Sequence, residues 1–181
     1  PMPHVKPEPS PTLVDVSDLI DRPGASRPVE LDVPVPEGFA IPLTTFGEVI
    51  FLDGRLESLI DGVLVRGKVA VEVVQTCARC LEPLDPGEVV ADIAELYSDP
   101  TSAEAEGDIE EGYEIRGGLI DIDALLRDTL AMATTDAPRC SDTCAGLCPT
   151  CGINRNAATC ECADEGVDGR WAALSDLKLN P

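Results

Sequence analysis

The sequence predicts an α+β fold, which is a mainly antiparallel β-sheet with one or two packed helices and a small cysteine-rich module near the C-terminus. Three observations predict it. Apolar β-branched residues alternate with polar ones from about residue 49 to residue 97, which is typical of strands with one buried face. An acidic start followed by apolar residues at helical spacing predicts a helix over 120–132. Six cysteines then lie within residues 140–162, among prolines and glycines rather than in an apolar period.

Length and charge limit the class of protein. The 181 residues suffice for one ordinary domain with a small satellite. The formal net charge is −21, and such a field repels phosphate backbones, so direct nucleic-acid binding is disfavoured. The first residues contain no apolar signal-peptide region, and no apolar run approaches the roughly 18 to 20 residues of a membrane span. We therefore expect a soluble, cytoplasmic protein with reduced thiols.

The N-terminal part divides into a lead-in and the first strands of a core predicted over 13–135. Residues 1–12 are rich in proline and are expected to be disordered, with the lone His4 exposed to solvent rather than bound to a metal. Residues 13–20 fit a short strand or a helical turn equally well. Residues 29–35 alternate between apolar and polar or proline positions, and prolines cannot donate to a ladder, so this segment predicts an edge strand.

A long hairpin gives the strongest β-signal. Residues 55–60 lead to the turn dipeptide Asp61-Gly62, and valines then recur up to Val74. This strand delivers the chain to Cys77, and residues 89–97 are expected to form the returning strand. The first thiol pair, Cys77 and Cys80, should therefore lie between two antiparallel strands.

A long acidic stretch follows this thiol pair, because no Lys or Arg lies between Arg79 and Arg116 while twelve acidic residues do. Its middle, about residues 98–111, has too little apolar surface to offset the entropy of ordering and is expected to be a mobile loop. A solvated loop and a docking surface for a basic partner are both consistent with such a run. The candidates for partner binding are Glu82, Asp85, Glu88, Glu104, Glu106, Asp108, Glu110, Glu111 and Trp171. For Trp171, near the start of a predicted C-terminal helix, a buried core position is the alternative.

All eight cysteines are candidate metal ligands: Cys77, Cys80, Cys140, Cys144, Cys148, Cys151, Cys160 and Cys162. A C-x-x-C turn lets two sulfurs of one chain reach the same ion, and the glycine after the second such turn permits a positive φ. Since the only His lies in the lead-in, the site would be all thiolate. We expect one or two structural Zn²⁺ ions in a zinc-ribbon-like module within 136–181.

Two partitions of the cysteines into metal sites remain open. The more local one groups the last four cysteines, Cys148 to Cys162, and leaves Cys77, Cys80, Cys140 and Cys144 for a second site. The other joins the Cys77/Cys80 turn directly to the Cys148/Cys151 turn. Either way, the module would be attached to the sheet by metal.

Other uses of the thiols are less consistent with the sequence. Cys148-Pro-Thr-Cys151 has the spacing of a thioredoxin-like redox centre, but no helical pattern begins at its first cysteine. An iron–sulfur cluster also takes four cysteines, and the spacing alone does not exclude it. A disulfide framework is disfavoured by the lack of a signal peptide. A closed all-cysteine zinc site is structural by default, so we expect no enzymatic activity and no small-molecule substrate.

The chain resembles the YceD family, the large ribosomal RNA subunit accumulation proteins, over nearly its whole length. The resemblance rests on Cys77-Ala-Arg-Cys80-Leu81-Glu82-Pro83, on Cys144-Ala-Gly-Leu-Cys148-Pro-Thr-Cys151-Gly-Ile-Asn154-Arg-Asn156, and on Cys160-Glu-Cys162. The segments 18–24 and 169–174 resemble the family as well. Two positions depart from it, because Leu is usual where Arg155 stands and Pro where Gly169 stands.

The resemblance implies a cytoplasmic bacterial factor needed for normal accumulation of large-subunit ribosomal RNA, with no established enzymatic activity. The charge of −21 favours binding of a basic ribosomal protein or a pre-50S particle through an acidic surface, residues 82–114, with indirect contact to RNA. Direct RNA binding is the alternative and would depend on six basic residues: Arg66, Lys68, Arg79, Arg139, Arg155 and Arg170. A thiol redox or metal sensor is a third hypothesis.

Overall fold

The computed structural model describes residues 10–99, 112–162 and 170. Within this part of the chain, seven strands and one helix form in the order β1 (Leu13–Asp15), β2 (Ser26–Pro34), β3 (Thr44–Leu59), β4 (Gly62–Gln75), β5 (Gly87–Ser98), β6 (Tyr113–Glu114), β7 (Leu119–Asp121) and α1 (Asp123–Ala133). In the described residues the fold is thus mainly β with one helix, in agreement with the predicted, mainly antiparallel sheet with one or two packed helices. Most of the lead-in, residues 100–111 of the acidic loop, and the C-terminal helix with Trp171 lie outside the described residues.

Five strands form the main sheet in the order β2-β3-β4-β5-β6. All neighbours are antiparallel except β5 and β6, which are parallel. The predicted hairpin is confirmed as β3 and β4, and its two-residue turn is Ile60-Asp61, one residue earlier than predicted, because Leu59 pairs with Gly62. The predicted edge strand is confirmed as β2, and the returning strand as β5.

A small two-stranded sheet replaces part of the predicted helix. Residues 119–121 pair with β1, although the helical spacing assigned residues 120 and 121 to the helix, and the helix starts only at Asp123. Backbone pairing at this point satisfies donors that a first helical turn would leave unpaired, and Asp121 Oδ1 accepts the N–H of Asp123 at 3.0 Å. The same pairing resolves the ambiguity of residues 13–20, where a three-residue strand is followed by turns.

One face of the main sheet packs on the helix and buries the core. Leu125, Leu126 and Leu130 of α1 are at most 2% exposed and belong to one cluster with inward-facing valines and isoleucines of β2 to β5. Tyr97 on β5 is also buried, and its hydroxyl donates to the carbonyl of Asp121 at 3.0 Å. Strand β5 is thereby tied to the start of the helix. Within the described ranges, no helix is long and apolar enough to cross a membrane.

Candidate metal centres

The eight cysteines gather into two groups of four. Cluster A contains Cys77, Cys80, Cys140 and Cys144, and cluster B contains Cys148, Cys151, Cys160 and Cys162. Within each cluster all four Sγ atoms lie within 4.8 Å of one another. This grouping corresponds to the more local of the two partitions, and the two C-x-x-C turns lie in separate clusters.

The spacing of the sulfurs in cluster A fits a single tetrahedral ion. Cys77 Sγ lies 3.9 Å from Cys144 Sγ, and Cys80 Sγ lies 3.7 Å from Cys140 Sγ. A tetrahedron with Zn–S bonds of about 2.3 Å has sulfur–sulfur edges of about 3.8 Å. All eight residues are free thiols, since a disulfide would bring two sulfurs to about 2.0 Å. An iron–sulfur cluster, which spreads its thiolates over two or more irons, fits this compact arrangement less well.

The two C-x-x-C turns share one backbone geometry. In the first, the N–H of Leu81 bonds to the carbonyl of Cys77, and the N–H of Cys77 bonds to the carbonyl of Glu82, both at 2.9 Å. In the second, the N–H of Gly152 bonds to the carbonyl of Cys148 and the N–H of Cys148 to that of Ile153, again at 2.9 Å. The residue after the second cysteine has a positive φ in both turns, 59° at Leu81 and 74° at Gly152.

This repeat is informative because Leu rarely adopts a positive φ. A non-glycine residue in that region is strained, and the strain persists only where the surrounding structure requires it. Leu81 is also 56% exposed, so burial of its side chain does not account for its conformation. We infer that the requirement is the turn that directs both sulfurs to one side. The sequence indicates a positive φ at position 152, where it has Gly, but gives no such sign at position 81, where it has Leu.

Cluster A connects the sheet to the chain that follows the helix. Cys77 comes two residues after β4 ends, and the loop holding it is paired back to the strand through Leu84 N–H to the carbonyl of Gln75 at 2.8 Å. From beyond α1, the carbonyl of Pro138 accepts the N–H of Ala78 at 2.7 Å. The predicted position of the first thiol pair, between two antiparallel strands, is confirmed by the pairing of β4 with β5.

The two clusters contact each other through the loop that follows Cys151. Asn156 donates from Nδ2 to the sulfur of Cys144 in cluster A at 3.3 Å, and its Oδ1 accepts the N–H of Ala145 at 2.7 Å. Arg155, one residue earlier, donates to Cys148 Sγ of cluster B at 3.8 Å. Ligand sulfurs are commonly held by such outer hydrogen bonds. The loop between two cysteines of cluster B thus also supports cluster A.

A close backbone contact holds this arrangement together at Gly146. The N–H of Leu147 bonds to the carbonyl of Arg79 at 3.0 Å. Gly146 is buried, has a φ of 72°, and a Cβ at this position would lie 3.1 Å from the same carbonyl. A side chain is disfavoured here by both conformation and space. Sequence reasoning missed Gly146, Asn154 and Asn156 as site residues, although all three lie in the motif that carries the family resemblance.

Hydrogen bonding and proximity move the thiol pKa values apart within each cluster. The backbone N–H groups of Cys80 and Cys140 lower the pKa of Cys77 to about 6, and those of Cys151 and Thr150 lower the pKa of Cys148 to about 6. Hydrogen bonding with Cys144, together with desolvation, raises the pKa of Cys140 to about 12.

Cluster B also contains a thiol whose pKa is raised. Hydrogen bonding with Cys151, followed by desolvation, raises the pKa of Cys162 to about 12. Four thiols this close cannot all ionise unless a cation offsets their repulsion. Because metal binds the thiolate form, the donor chemistry of both clusters fits a divalent ion.

Three of the nine predicted partner-binding residues lie in the part of the chain that the structure describes. Glu82 lies in the first C-x-x-C turn, where its Oε1 accepts from Asn154 Nδ2 at 3.3 Å. Asp85 is exposed in the following loop, and Glu88 is exposed on β5 directly opposite Glu72. The remaining members, Glu104, Glu106, Asp108, Glu110, Glu111 and Trp171, lie outside the described residues.

The basic residues considered for RNA contact are only partly brought together. Arg66 and Lys68 lie in the middle of β4, and Lys68 forms an ion pair with Asp92 at 3.7 Å. About ten residues of extended chain, roughly 30 Å, separate them from the first C-x-x-C turn. The backbone segments of Arg79, Arg139 and Arg155, in contrast, meet around the clusters through the contacts of Ala78, Leu147 and Gly146. Arg170 is exposed.

Comparison with known proteins identifies a family and several relatives with similar sequences. The family model described as "Large ribosomal RNA subunit accumulation protein YceD" matches residues 65–178. Uncharacterised proteins of Mycobacterium bovis and Mycobacterium tuberculosis are each 35% identical over 171 residues, covering 93% of this chain and 82% of the relative. An uncharacterised protein of Mycobacterium leprae is 32% identical over the same length, covering 78% of the relative. No solved structure matches the chain.

Proposed function

The chain belongs to the family of large ribosomal RNA subunit accumulation proteins, YceD, and from this premise we propose that it acts as an assembly factor for the large ribosomal subunit. In this proposal, two structural Zn²⁺ ions hold a zinc-ribbon-like module on the β-sheet, and the acidic surface binds a basic ribosomal protein or a particle that contains one. The observation that carries the structural part is the pair of four-thiol clusters with matching turns.

The residues named above would hold the ions and orient the ligands. The four thiolates of each cluster would complete a tetrahedron and leave no coordination position for a substrate, which favours a structural role over a catalytic one. The redox hypothesis is weakened because the residues after Cys148 form turns rather than a helix. When bound, zinc would supply a cross-link between the β4–β5 connection and the chain beyond α1.

Charge supports a protein partner. With 34 acidic and 13 basic residues, the chain would attract a basic ribosomal protein and accelerate the encounter at low ionic strength. The same charge opposes the grip on an RNA backbone. The arginine segments that meet around the clusters favour the second candidate, direct contact with ribosomal RNA through the cysteine module.

Two measurements test this proposal. Elemental analysis of protein purified without chelator should give two zinc ions per chain, and a value clearly below one would contradict the structural part. Affinity capture from a native lysate across a salt series should recover a basic ribosomal protein whose binding weakens as salt rises. If ribosomal RNA is still captured in the presence of nuclease-resistant competitor RNA, and no ribosomal protein is captured with it, the result would instead favour direct contact with ribosomal RNA.

A further inference from the structure

Strand β5 has an open edge. On one side it pairs with β4 along its whole length, from Ser98 opposite Gly62 to Gly87 opposite Val73. On the other side only Tyr97 and Ser98 are paired, with β6. Among the described residues, one further backbone hydrogen bond reaches this side of β5, from the N–H of Ile115, directly after β6, to the carbonyl of Ser98 at 2.9 Å, and residues 87–96 have no partner there. Alternate residues of the strand therefore direct unpaired N–H and C=O groups outward, which is a template for another strand.

The two long edges of the main sheet differ in how they are protected. The opposite edge, β2, contains Pro28 and Pro34, which cannot donate to an added strand. Strand β5 has no proline and no lysine, the residues that commonly block an edge. An unblocked edge of this length can pair with a strand of another chain, which is consistent with a role in binding.

A groove runs between this open edge and the helix. It encloses about 520 Å³ and is lined on one side by Ala91, Ile93 and Glu95 of β5, and on the other by Leu125, Asp128 and Met132 of α1. Met132 is 87% exposed although it is a large apolar side chain. A strand edge beside a helix is the arrangement in which added peptides gain main-chain hydrogen bonds from the strand and a side-chain pocket from the helix.

The end of the groove next to β6 shows where an added strand would lie. Tyr113 of β6 stacks on Tyr97 with ring centroids 5.1 Å apart, and its hydroxyl donates to Asp128 Oδ2 at 2.7 Å. Because β6 already pairs with the end of β5 in parallel, an incoming segment would lie in line with β6 along residues 87–96.

Charge selects the occupant. Among the described residues that line the groove, Asp92, Glu95 and Asp128 are acidic and none is Lys or Arg, although the Asp92 carboxylate pairs with Lys68 of β4 at 3.7 Å. A second copy of this chain would bring the same carboxylates to the same edge, and residues 100–111 of the chain itself carry five acidic residues and no basic one. Like charges across strands are unfavourable. An extended basic segment is complementary to both the backbone edge and its rim.

We propose that the groove between the open edge of β5 and α1 binds an extended, lysine- or arginine-rich peptide segment by strand addition. Basic side chains contact Glu95 and Asp128, and an apolar side chain between them packs against Ile93 and Met132. The proposal deepens the proposed function, since it locates where a basic partner protein docks. It also moves the docking surface from the acidic loop to the described edge of the sheet.

A nine-residue peptide capped at both ends, Lys-Ser-Val-Ser-Lys-Ser-Val-Ser-Lys, serves as the Lys/Val probe, because alternate residues of a strand share a face and this order places Lys and Val together on the groove side. We expect it to bind the purified full chain in fluorescence anisotropy, and to slow amide exchange of outward-facing residues within 91–96 by at least about tenfold. The same peptide with Glu for Lys, and one N-methylated at alternate residues, should not bind. The Glu95→Lys variant should weaken binding about tenfold and the Glu88→Lys variant less than twofold, although both change the charge of β5 equally.

Three results would overturn the inference: no binding of the Lys/Val peptide to the wild-type chain, equal weakening by Glu95→Lys and Glu88→Lys, or protection confined to amides outside β5. Sedimentation that shows a dimer with β5 amides already protected would assign the edge to a second copy instead. The assay contains no ribosomal component. Peptide binding without capture of ribosomal proteins would therefore support the groove as a peptide site and contradict the proposed ribosomal partner. Equal capture of ribosomal proteins by Glu95→Lys and wild type would support the partner and contradict the groove as its docking site.

Discussion

Replacing Cys77 with Ser tests whether cluster A attaches the cysteine module to the sheet. The substitution removes one of four thiolates and should reduce the zinc content from two ions per chain to one. Its effect on attachment follows from the sequence separation that the cluster spans. The long-range loop it closes joins Cys80 to Cys140, which are 60 residues apart. Because β5 to α1 fill most of this segment and stay folded when the module opens, the flexible part is about six residues before β5 (81–86) and about six after α1 (134–139).

The expected magnitude comes from the entropy of that loop. Closing about 12 flexible residues by a cross-link is worth about 3 kcal/mol at 25 °C in the chain-entropy treatment. Losing it should raise the equilibrium constant for local opening of the module by about a hundredfold. The buried core around α1 and β2 to β5 does not include cluster A, so the sheet should remain folded in the variant.

Native-state amide exchange measures this opening directly. The N–H groups of Ala78 and Leu147, which bond to the carbonyls of Pro138 and Arg79, should exchange up to about a hundredfold faster in Cys77→Ser. Amides in the centre of β4 should change little. The Cys162→Ser variant is the matched control, because it disrupts cluster B and leaves cluster A complete. Unchanged exchange at Ala78 in Cys77→Ser, or an equal increase in the control, would refute the role assigned to cluster A.

Three further predictions follow from other contacts. Asn156→Ala should speed release of one zinc ion to a chelator by about tenfold, because the donor to Cys144 Sγ is lost; release at wild-type rate would show that this bond does not support the cluster. The first thiol of each C-x-x-C turn has a pKa lowered to about 6, so its stabilising contribution is complete above the pKa of the unfolded thiol and is lost as pH falls through about 6. In the metal-free protein the free energy of unfolding in urea should therefore fall as pH is lowered through about 6, and a free energy that does not change over that range would contradict the assignment. Tyr97→Phe should lower the free energy of unfolding in urea by about 1 kcal/mol, since its buried hydroxyl bonds to a carbonyl, whereas Tyr113→Phe, with an exposed bond, should cost less.

Much of the fold followed from local pattern. The hairpin of β3 and β4 was predicted because its alternation is long and its turn sequence distinctive. The start of α1 was wrong by three residues because the periodicity of residues 119–122 is compatible with either state. Pairing with β1, about a hundred residues earlier in the chain, decided it, and no local signal reports such a distant partner.

The candidate site was predictable to a similar extent. The number and spacing of the cysteines indicated metal binding, because C-x-x-C turns near further cysteines are typical of structural zinc sites. Spacing left two partitions open, because a C-x-x-C turn can share its ion with any other pair that comes within reach. The conformation of Leu81 and the bond from Asn156 to cluster A carry no recognisable local signature.

The sequence by itself determined the chemistry available to this protein: the all-thiolate ligand set, the apolar alternation of the strands, the family resemblance and the net charge of −21. These are properties of composition and of short-range spacing, which the chain has whether folded or not. Only the tertiary structure decided which thiols share a cluster, where β1 pairs, and that, among the described residues, most of one edge of β5 has no strand partner beside α1. Each of these depends on contacts between segments far apart in sequence, and the register of the sheet sets their distance.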